Sequence, residues 1–542
     1  MSVLKTVAIF GGGIAGLTVA HELAERGGFK ITVYERRDVF GGKARSMLTK
    51  DGFPGEHSIR TVPYFYYQLR DTMRRIPFNT QHVLANVVPL PAGSRRFFLF
   101  KNYDPVITPH FFPWNRSGLK EYLNYKKNIC KIIPQQDMKD FLWRLFKAIC
   151  MCDERRQKIL GKMNWGEFLD INNKSENFRI YFMRLPEFAV AARDVANARS
   201  LAMLVAKAQF FPFIHPIASQ HSFLDILNGP SSDVFIDPWV TYLKQQGVIF
   251  QTNSTATQIQ DDRHKITAIT IRNEKHEEIK VTADLFVLAV PIEIMQTLVT
   301  DSLKKIAPSL SQLNQLITMP SSGMQFFDSN GEQEAYPRGW TVLMDSPWAI
   351  LCMYQSKAIW PHITFKQPVK GILSIAWSNF EVPGVLYNKP AKACTAEEIK
   401  EEILAQIRMH KGTELWMERM KIHSWHIDPD IQFSKETGVF EKHHAQLFIQ
   451  PPDSWDYQPD ADTEIPNLFL ASDYVRTASD IANMESANEA GRRAVNAILK
   501  QCKYPGKPCF IVPLPRVGTR LIQWLDRYIL NANRRGWFTG SV

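Results

Sequence analysis

Three glycines and one carboxylate near the start of the chain have the spacing of a nucleotide-binding site. Gly11, Gly13 and Gly16 come directly after the apolar run 7–10. Glycines at these intervals permit a tight turn, a close approach of a pyrophosphate to the backbone, and close packing of a helix. Glu35 lies 19 residues beyond Gly16, where a carboxylate accepts hydrogen bonds from ribose hydroxyls. The pattern predicts a dinucleotide site.

The residues around these glycines predict the elements that would hold them in place. Residues 7–10 have the length and β-branched content of a buried parallel strand, and residues 30–34 predict a second one. Between the strands, apolar residues with helical spacing share one face, namely Leu17, Ala20 and Leu23. The first turn of this helix, with Ile14 and Ala15, would direct its N–H groups at the phosphates. The stretch therefore predicts a βαβ unit.

A second glycine pair, ending at Gly42, follows the acidic residue. Arg36 precedes the pair, and Lys43 and Ala44 come after it. Over residues 11–46 the sequence resembles the flavoprotein superfamily of amine oxidases, phytoene desaturases and hydroxysqualene dehydroxylases. The resemblance implies non-covalently bound FAD, with Arg36, Gly42, Lys43 and Ala44 along the cofactor.

Two later segments resemble the parts of this superfamily that return to the cofactor. Residues 283–291 resemble its return strand, and the resemblance implies that backbone groups near Ala256 touch the adenine half of FAD. Residues 465–491 resemble its C-terminal motif, in which a strand reaches the ribityl–pyrophosphate region and a helix directs its N-terminus at the flavin. The residues that this motif assigns to FAD are Asp473, Met484 and Glu485.

Candidate catalytic groups follow the glycine-rich segment. Glu56, His57 and Arg60 lie in a stretch that, by the same resemblance, passes the isoalloxazine ring. A cation such as Arg60 would stabilise the anionic reduced flavin, and Glu56 and His57 would handle protons. The alternative is a simple turn followed by a half-buried aromatic segment over residues 61–67.

Composition limits the class of protein. The 542 residues are 45% hydrophobic and 22% charged, which is typical of a folded chain with room for a large cofactor. Seven cysteines form no CxxC pair, so we expect a reducing compartment and no metal site. The N-terminus enters the first strand without room for a signal peptide, and no run of 18 apolar residues occurs. We therefore expect a cytoplasmic protein.

The formal net charge of +11 is concentrated in two patches. Residues 91–162 contain 15 Lys and Arg against 6 Asp and Glu, and residues 501–542 contain 7 against 1. No nucleic-acid motif accompanies this charge, so we do not expect nucleic acid as a partner. An anionic membrane and a merely solubilising surface both remain open.

Amphipathic and aromatic segments in these patches allow two interpretations. Residues 141–149 predict a helix with one apolar face, composed of Leu142, Leu145, Phe146 and Ile149. The tail predicts a helix over 519–530 with an apolar stripe, composed of Leu521, Trp524, Leu525, Tyr528 and Ile529. Each stripe could pack on the protein core or lie on an anionic bilayer, as could a predicted basic–aromatic loop at 95–100 and the aromatic residues 111–114. Residues 186–216 are helical and apolar enough to wall a substrate tunnel.

Together with the resemblance, these patterns imply an α/β protein with a Rossmann-like FAD domain and an α+β substrate domain that combines helices with an antiparallel sheet. The FAD domain would comprise residues 1–90, 228–300 and 460–500. The substrate domain would comprise a helical, membrane-facing region at 91–227 and the sheet at 301–459, and a basic extension would follow at 501–542.

The favoured function is hydride transfer between flavin N5 and a hydrophobic, isoprenoid-like substrate. The alternatives are an amine oxidase that uses oxygen, or an FAD protein with a binding role. Residues 320–324 offer no counterpart of the lysine found in amine oxidases, which disfavours amine oxidation.

Overall fold

The computed structural model describes residues 4–90, 96–108, 116–191, 195–209, 224–331, 339–512 and 520–531. The predicted aromatic segment at 111–114 lies outside these residues. So do the connection 210–223, which belongs to the predicted tunnel wall, and the residues after 531.

A five-stranded parallel sheet forms the centre of the nucleotide-binding part. Its order is β12-β2-β1-β16-β26, and β1 pairs in parallel with both β2 and β16. The strands are β1 (Lys5–Phe10), β2 (Phe29–Tyr34), β12 (Ile249–Gln251), β16 (Leu285–Leu288) and β26 (Leu468–Leu470). The three sequence segments assigned to FAD therefore meet in one sheet, and the α/β expectation is confirmed. Strand β16 is buried along its full length. A strand covered on both faces needs apolar side chains throughout, which explains its unbroken apolar sequence.

Helices cover this sheet, and a small meander extends from it. The helices are α1 (Ile14–Arg26), α2 (Tyr67–Arg75), α9 (Asp237–Gln245) and α15 (Met484–Gln501). The meander consists of β13 (Thr255–Asp261), β14 (Ile266–Arg272) and β15 (Glu278–Val281). Helices α1 and α15 cross so closely that a Cβ on Gly491 would lie 2.7 Å from the carbonyl oxygen of Ala15. Beside this crossing, Glu22 forms buried ion pairs with Arg26, Arg75 and Arg492.

A seven-stranded sheet forms the floor of the second domain, and two of its strands come from the region predicted to be helical. Its order is β10-β9-β19-β20-β21-β18-β22. The strands are β9 (Arg96–Leu99), β10 (Val106–Thr108), β18 (Ser322–Asp328), β19 (Trp340–Leu343), β20 (Ile350–Ser356), β21 (Gly371–Trp377) and β22 (Ile422–Ile427). The prediction of a loop at 95–100 is wrong for residues 96–99, because β9 pairs in parallel with β19. Alternating side chains allow Phe97 and Phe98 to contribute to opposite faces of a sheet.

Helices from the middle of the chain pack against this sheet. They are α3 (Arg116–Ile132), α4 (Gln135–Cys150), α5 (Asp153–Ile159), α6 (Trp165–Leu169), α7 (Glu176–Val190) and α8 (Ala198–Gln209). The predicted apolar face of α4 is divided between the core and the surface. Leu145 and Ile149 are buried together with Phe141, whereas Leu142 and Phe146 are exposed.

The predicted tail helix is present as α16 (Arg520–Asn531), and it packs on α4 and α5. Its contacts are polar: Asp526 is buried against Arg155, and Gln523 donates to the carbonyl oxygen of Ile149. Trp524 and Tyr528, which belong to the predicted apolar stripe, are exposed and stack on one another. The side of α16 with Gln523 and Asp526 thus packs inward, whereas Trp524 and Tyr528 do not.

The remaining elements connect these layers or lie at their edges. The strands are β3 (Ser46–Leu48), β4 (Pro54–Glu56), β5 (Thr61–Pro63), β6 (Pro77–Phe78), β7 (Gln81–His82), β8 (Val87–Val88), β11 (Leu224–Leu227), β17 (Ile317–Met319), β23 (Ile431–Phe433), β24 (Phe440–His443) and β25 (Leu447–Ile449). The helices are α10 (Ile292–Leu298), α11 (Asp301–Ile306), α12 (Ala396–Arg408), α13 (Glu414–Arg419) and α14 (Ser454–Tyr457). Helix α12 begins with a capping box of Thr395 and Glu398. Among the described helices, none combines the length and the apolar character needed to cross a bilayer.

Candidate active site

One cavity of about 1010 Å³ joins the parallel sheet to the second domain. At one end it is lined by the glycine-rich turn after β1, by the acidic residue after β2 and by the start of α15. Its other end is an apolar arm between the helical layer and the seven-stranded sheet. The cavity thus connects a polar nucleotide end with a hydrophobic compartment.

The glycine-rich turn brings backbone atoms together too closely for side chains. A Cβ on Gly16 would lie 1.9 Å from the carbonyl oxygen of Gly11, and one on Gly42 would lie 3.0 Å from the Cα of Gly13. Gly11 has a φ of 110°, which an L side chain rarely adopts. No side chain caps α1 at Gly13, so the first N–H groups of the helix are left for an anion. This cradle fits a pyrophosphate.

Glu35 is buried at the end of β2 and lines the cavity. Its Oε2 accepts the Gly12 N–H at 2.7 Å, and its Oε1 accepts the Arg37 N–H at 3.0 Å. Each carboxylate oxygen has a second acceptor position. The backbone therefore fixes this carboxylate while leaving it able to accept hydroxyl protons from a ribose.

Most of the residues predicted to bind FAD line the same cavity. They are Gly11, Gly13, Ile14, Ala15, Glu35, Arg36, Gly42, Lys43, Ala44, Ala256, Asp473 and Met484. Gly16 lies behind this surface, where it permits the close approach of α1 to the turn. Glu485 also lies outside the lining, and its carboxylate accepts the N–H groups of Gln68 and Leu69 at the start of α2. These two hydrogen bonds make Glu485 an anchor for α2, and burial raises its pKa to about 7.

The three predicted catalytic residues are placed differently. Arg60 lines the cavity and donates to the carbonyl oxygen of Lys43, and burial lowers the pKa of its guanidinium. Glu56 is buried outside the lining and accepts from the N–H and hydroxyl of Ser231. Burial raises the pKa of Glu56 although Arg60 opposes the shift. His57 lines the cavity, so the structure brings His57 and Arg60 to the cavity and leaves Glu56 behind them.

Sequence reasoning missed the partner of His57. Asp428, just after β22, is fully buried, and its Oδ2 contacts His57 Nδ1 and accepts from the Ser322 hydroxyl at 3.1 Å. His443, at the end of β24, points its Nε2 at the same oxygen from 3.8 Å. Burial would raise the pKa of Asp428, but His57 outweighs it and the pKa is lowered. The sequence feature that could have indicated this cluster is a pair of short runs rich in histidine and aspartate, His426-Ile427-Asp428-Pro429-Asp430 and Lys442-His443-His444.

The nitrogen and oxygen atoms of His57, Asp428 and His443 lie within 4.8 Å of one another, a spacing compatible with a metal ion. The hydrogen bonding of His443 argues against that use. Its Nδ1 accepts the Ala445 N–H at 3.1 Å, so the proton of the neutral ring lies on Nε2, the atom that would have to bind the metal. Burial lowers the pKa of His443 to about 4, which keeps the ring neutral.

The apolar arm reaches the protein surface between α3 and α4. Its interior is lined by aromatic and aliphatic side chains, including Ile129, Phe141, Phe182, Leu204, Val342 and Leu351. Cys130 and Leu142 line the cavity and are also exposed, so they mark its mouth. Lys126 and Lys139 stand beside them. The predicted tunnel wall at 186–216 contributes Pro186, Phe188, Leu204 and Val205.

The sequence profile of the family described as flavin containing amine oxidoreductase matches residues 14–499. The chain belongs to this family. This flavoprotein is therefore an FAD-dependent oxidoreductase, and the cradle, Glu35 and the start of α15 are the parts that would hold FAD. The cofactor supplies hydride-accepting chemistry at flavin N5 when it is bound.

Curated relatives and solved structures agree with this assignment. The flavoprotein is 22% identical to a zeta-carotene desaturase from Synechocystis sp., with 91% of this chain and 97% of the relative aligned. It is 22% identical to a 15-cis-phytoene desaturase from Synechococcus elongatus (91% and 95%) and 21% identical to a carotenoid phi-ring synthase from Chlorobaculum tepidum (94% and 91%). Cyclohexylamine oxidase from Brevibacterium oxydans superposes with a TM-score of 0.61 at 12% identity, covering 92% of this chain and 99% of that one. This last similarity supports the fold alone.

Proposed function

We propose that this flavoprotein desaturates a long, apolar, isoprenoid hydrocarbon that it takes up from a membrane surface. The observation that carries the proposal is the apolar arm, which runs from the nucleotide end of the cavity to an opening between α3 and α4. An extended hydrocarbon matches such a lining because burial of apolar surface contributes about 25 cal/mol per Å². The names of the desaturase relatives point to the same substrate class.

The charges along the cavity disfavour a cationic amine. Among the described residues that line it, the carboxylates are Glu35 and Asp473, and both belong to the FAD end. Lys126 and Lys139, in contrast, stand at the mouth. An ammonium ion in the arm would lose its hydration without gaining a counter-ion, which is costly. A hydrocarbon needs no such partner.

The surface around the mouth favours a bilayer as the source of the substrate. We give the name mouth face to the exposed apolar side chains of α3, α4 and α16, namely Leu119, Leu123, Leu142, Trp143, Phe146, Trp524 and Tyr528. Exposed lysines of α3 and α4 accompany them, namely Lys120, Lys126, Lys127 and Lys139. Aromatic residues combined with lysines are typical of a surface that lies in the interface of an anionic membrane. A substrate dissolved in the bilayer would then pass directly into the arm.

The reaction test uses anaerobic reduction of bound FAD by 15-cis-phytoene or ζ-carotene in anionic liposomes. We expect bleaching of the flavin and formation of an additional conjugated double bond. Cys130→Trp would obstruct the mouth without changing the core, and Cys130→Ser is its matched control. Loss of reduction in the tryptophan variant alone would support the proposal. Rapid reduction by cyclohexylamine or putrescine, without reduction by either polyene, would refute it in favour of amine oxidation.

The membrane test compares binding to vesicles of mixed phosphatidylcholine and phosphatidylglycerol. Replacing Trp143 and Phe146 by aspartate should weaken co-sedimentation, because both side chains leave the apolar phase and two negative charges face the lipid. Leu386→Asp is the matched control, since Leu386 is exposed but lies far along the chain, in the loop before α12. Equal binding by both variants would contradict a role for the mouth face.

A further inference from the structure

His57 and Asp428 form a buried pair at the cavity wall for which hydride transfer alone gives no role. His57 follows β4, Asp428 follows β22, and both are almost completely buried. Their contact joins His57 Nδ1 to Asp428 Oδ2. A carboxylate that holds one ring nitrogen fixes the tautomer of the imidazole and leaves the other nitrogen as a base. With Nδ1 engaged, Nε2 is the ring nitrogen that remains, and His57 lines the cavity.

The other charged groups around Asp428 are either farther from it than His57 or interact with other partners as well. Asp430 approaches His57 Nδ1 at 4.0 Å, but its carboxylate is bound by Arg37 at 2.6 Å and Arg45 at 2.9 Å. His443 is the other ring near Asp428, and its pKa of about 4 keeps it neutral. The remaining titratable groups that act on this cluster are Arg60 and His426, which act on Asp428, and Lys43, which acts on His443. Arg60 acts on Asp428 as well as on Glu56, and His57 makes the closest ring contact with Asp428.

We propose that His57 Nε2 accepts the proton that a desaturation releases, and that Asp428 is the positioning residue that orients His57. This inference rests on the proposed function and adds the fate of the second hydrogen. When a CH–CH unit becomes C=C, one hydrogen leaves with two electrons, and the vicinal hydrogen leaves as a proton. Bound oxidised FAD would supply the hydride acceptor and His57 Nε2 would accept the proton, so charge and atoms balance. A base so placed typically contributes about 10²- to 10⁴-fold in rate.

The orientation of His57 can be tested without substrate. Diethyl pyrocarbonate acylates only unprotonated imidazole, and mass spectrometry resolves the modified histidine in the FAD-loaded protein. We expect His57 to react, with exposed His264 as the reference for reagent activity. Asp428→Asn should shift the pH of half-maximal modification of His57 downward, because a negative charge that favours the imidazolium is lost. No reaction at His57, or an unchanged pH dependence, would overturn the orientation by Asp428.

A second variant distinguishes a specific effect of Asp428→Asn from misfolding of that variant. Ser322→Ala removes the hydroxyl that donates to Asp428 Oδ2, so this oxygen interacts more strongly with His57 and the modification curve should shift upward. Opposite shifts in the two variants are specific to the pair, since a general loosening of the site would move both curves in one direction. Retained FAD content and circular dichroism establish that each variant is folded. Shifts in the same direction would overturn the proposal.

The proton transfer itself is tested by the pH dependence of anaerobic flavin reduction by 15-cis-phytoene or ζ-carotene. In the parent protein the rate should rise with pH along the His57 modification curve, because the base must be unprotonated. His57→Gln should slow reduction by about 10²-fold or more and remove this dependence. An unaltered profile in His57→Gln would refute the base. If neither polyene reduces the flavin, the desaturase assignment and the proton transfer both fail, while the modification shifts still decide whether Asp428 orients His57.

Discussion

Replacement of Glu35 by alanine separates the cofactor role of this carboxylate from its structural role. Glu35 is positioned by two backbone N–H groups, from Gly12 at 2.7 Å and Arg37 at 3.0 Å. Charge-assisted hydrogen bonds to the ribose would contribute about 1.5–3 kcal/mol. At about 1.4 kcal/mol per tenfold change in affinity, the variant should bind FAD about 10- to 150-fold more weakly.

The same substitution has a second, independent effect on the apo protein. Loss of the carboxylate leaves the buried Gly12 N–H without its acceptor, which costs about 1–3 kcal/mol of folding free energy. Glu35→Gln is the matched variant, because its amide oxygen can still accept the Gly12 N–H while the negative charge is gone. It should retain most of the apo stability and lose part of the FAD affinity.

The assay titrates apo protein with FAD by flavin fluorescence and follows the unfolding of each apo variant by denaturant. We expect alanine to lower both affinity and stability, and glutamine to lower mainly affinity. Parent-like FAD affinity in Glu35→Ala, together with reduced apo stability, would refute the assignment of Glu35 to the ribose. It would leave this carboxylate with a purely structural role in the turn.

Three further predictions concern the scaffold. Gly16→Ala should prevent FAD uptake and lower expression of folded protein, because its Cβ would lie 1.9 Å from the carbonyl oxygen of Gly11; absorbance of the purified protein at flavin wavelengths checks this. Asp526→Ala should destabilise the docking of α16 by about 3–5 kcal/mol, since it leaves Arg155 buried without its partner; limited proteolysis at the C-terminus should become faster. Burial alone would raise the pKa of Glu22, but its surrounding arginines lower it to about 2. A depressed carboxylate pKa contributes stability above about pH 4.5 that is lost as the pH falls toward 2, and Glu22→Gln should flatten the decline in unfolding midpoint over that range.

The nucleotide end was predictable from the sequence because its chemistry is local. The spacing of Gly11, Gly13 and Gly16 is itself the geometry of the turn, and Glu35 follows at the end of the next strand. The parallel sheet was predictable for the same reason, since its strands are continuous apolar runs such as 285–288. Short-range patterns of this kind carry their structural meaning within one supersecondary unit.

The pair at the cavity wall was not predictable because its members are 371 positions apart in the chain. His57 and Asp428 meet through the pairing of β18 with β22 and through the packing of Gly323 against the His57 backbone, where a Cβ would lie 2.6 Å from its carbonyl oxygen. For α16, the sequence predicts the helix but leaves open what its apolar stripe contacts. Helical periodicity identifies an apolar face, but it does not say whether Trp524 is covered, and the buried ion pair of Asp526 turned the other face inward.

The two walls of the apolar arm differ in how readily they can be remodelled. The sheet wall, which includes Val342 and Leu351, is fixed by ladders that join β9, β19 and β20, and shifting a strand by one residue would turn each side chain to the opposite face. The helical wall, with Leu185 and Leu204, is held by side-chain packing, which tolerates volume-conserving exchanges at less than about 1.5 kcal/mol. Substitutions that adapt the arm to thicker or thinner hydrocarbons, in nature or by directed evolution, should therefore accumulate on α7 and α8 and not on the strands.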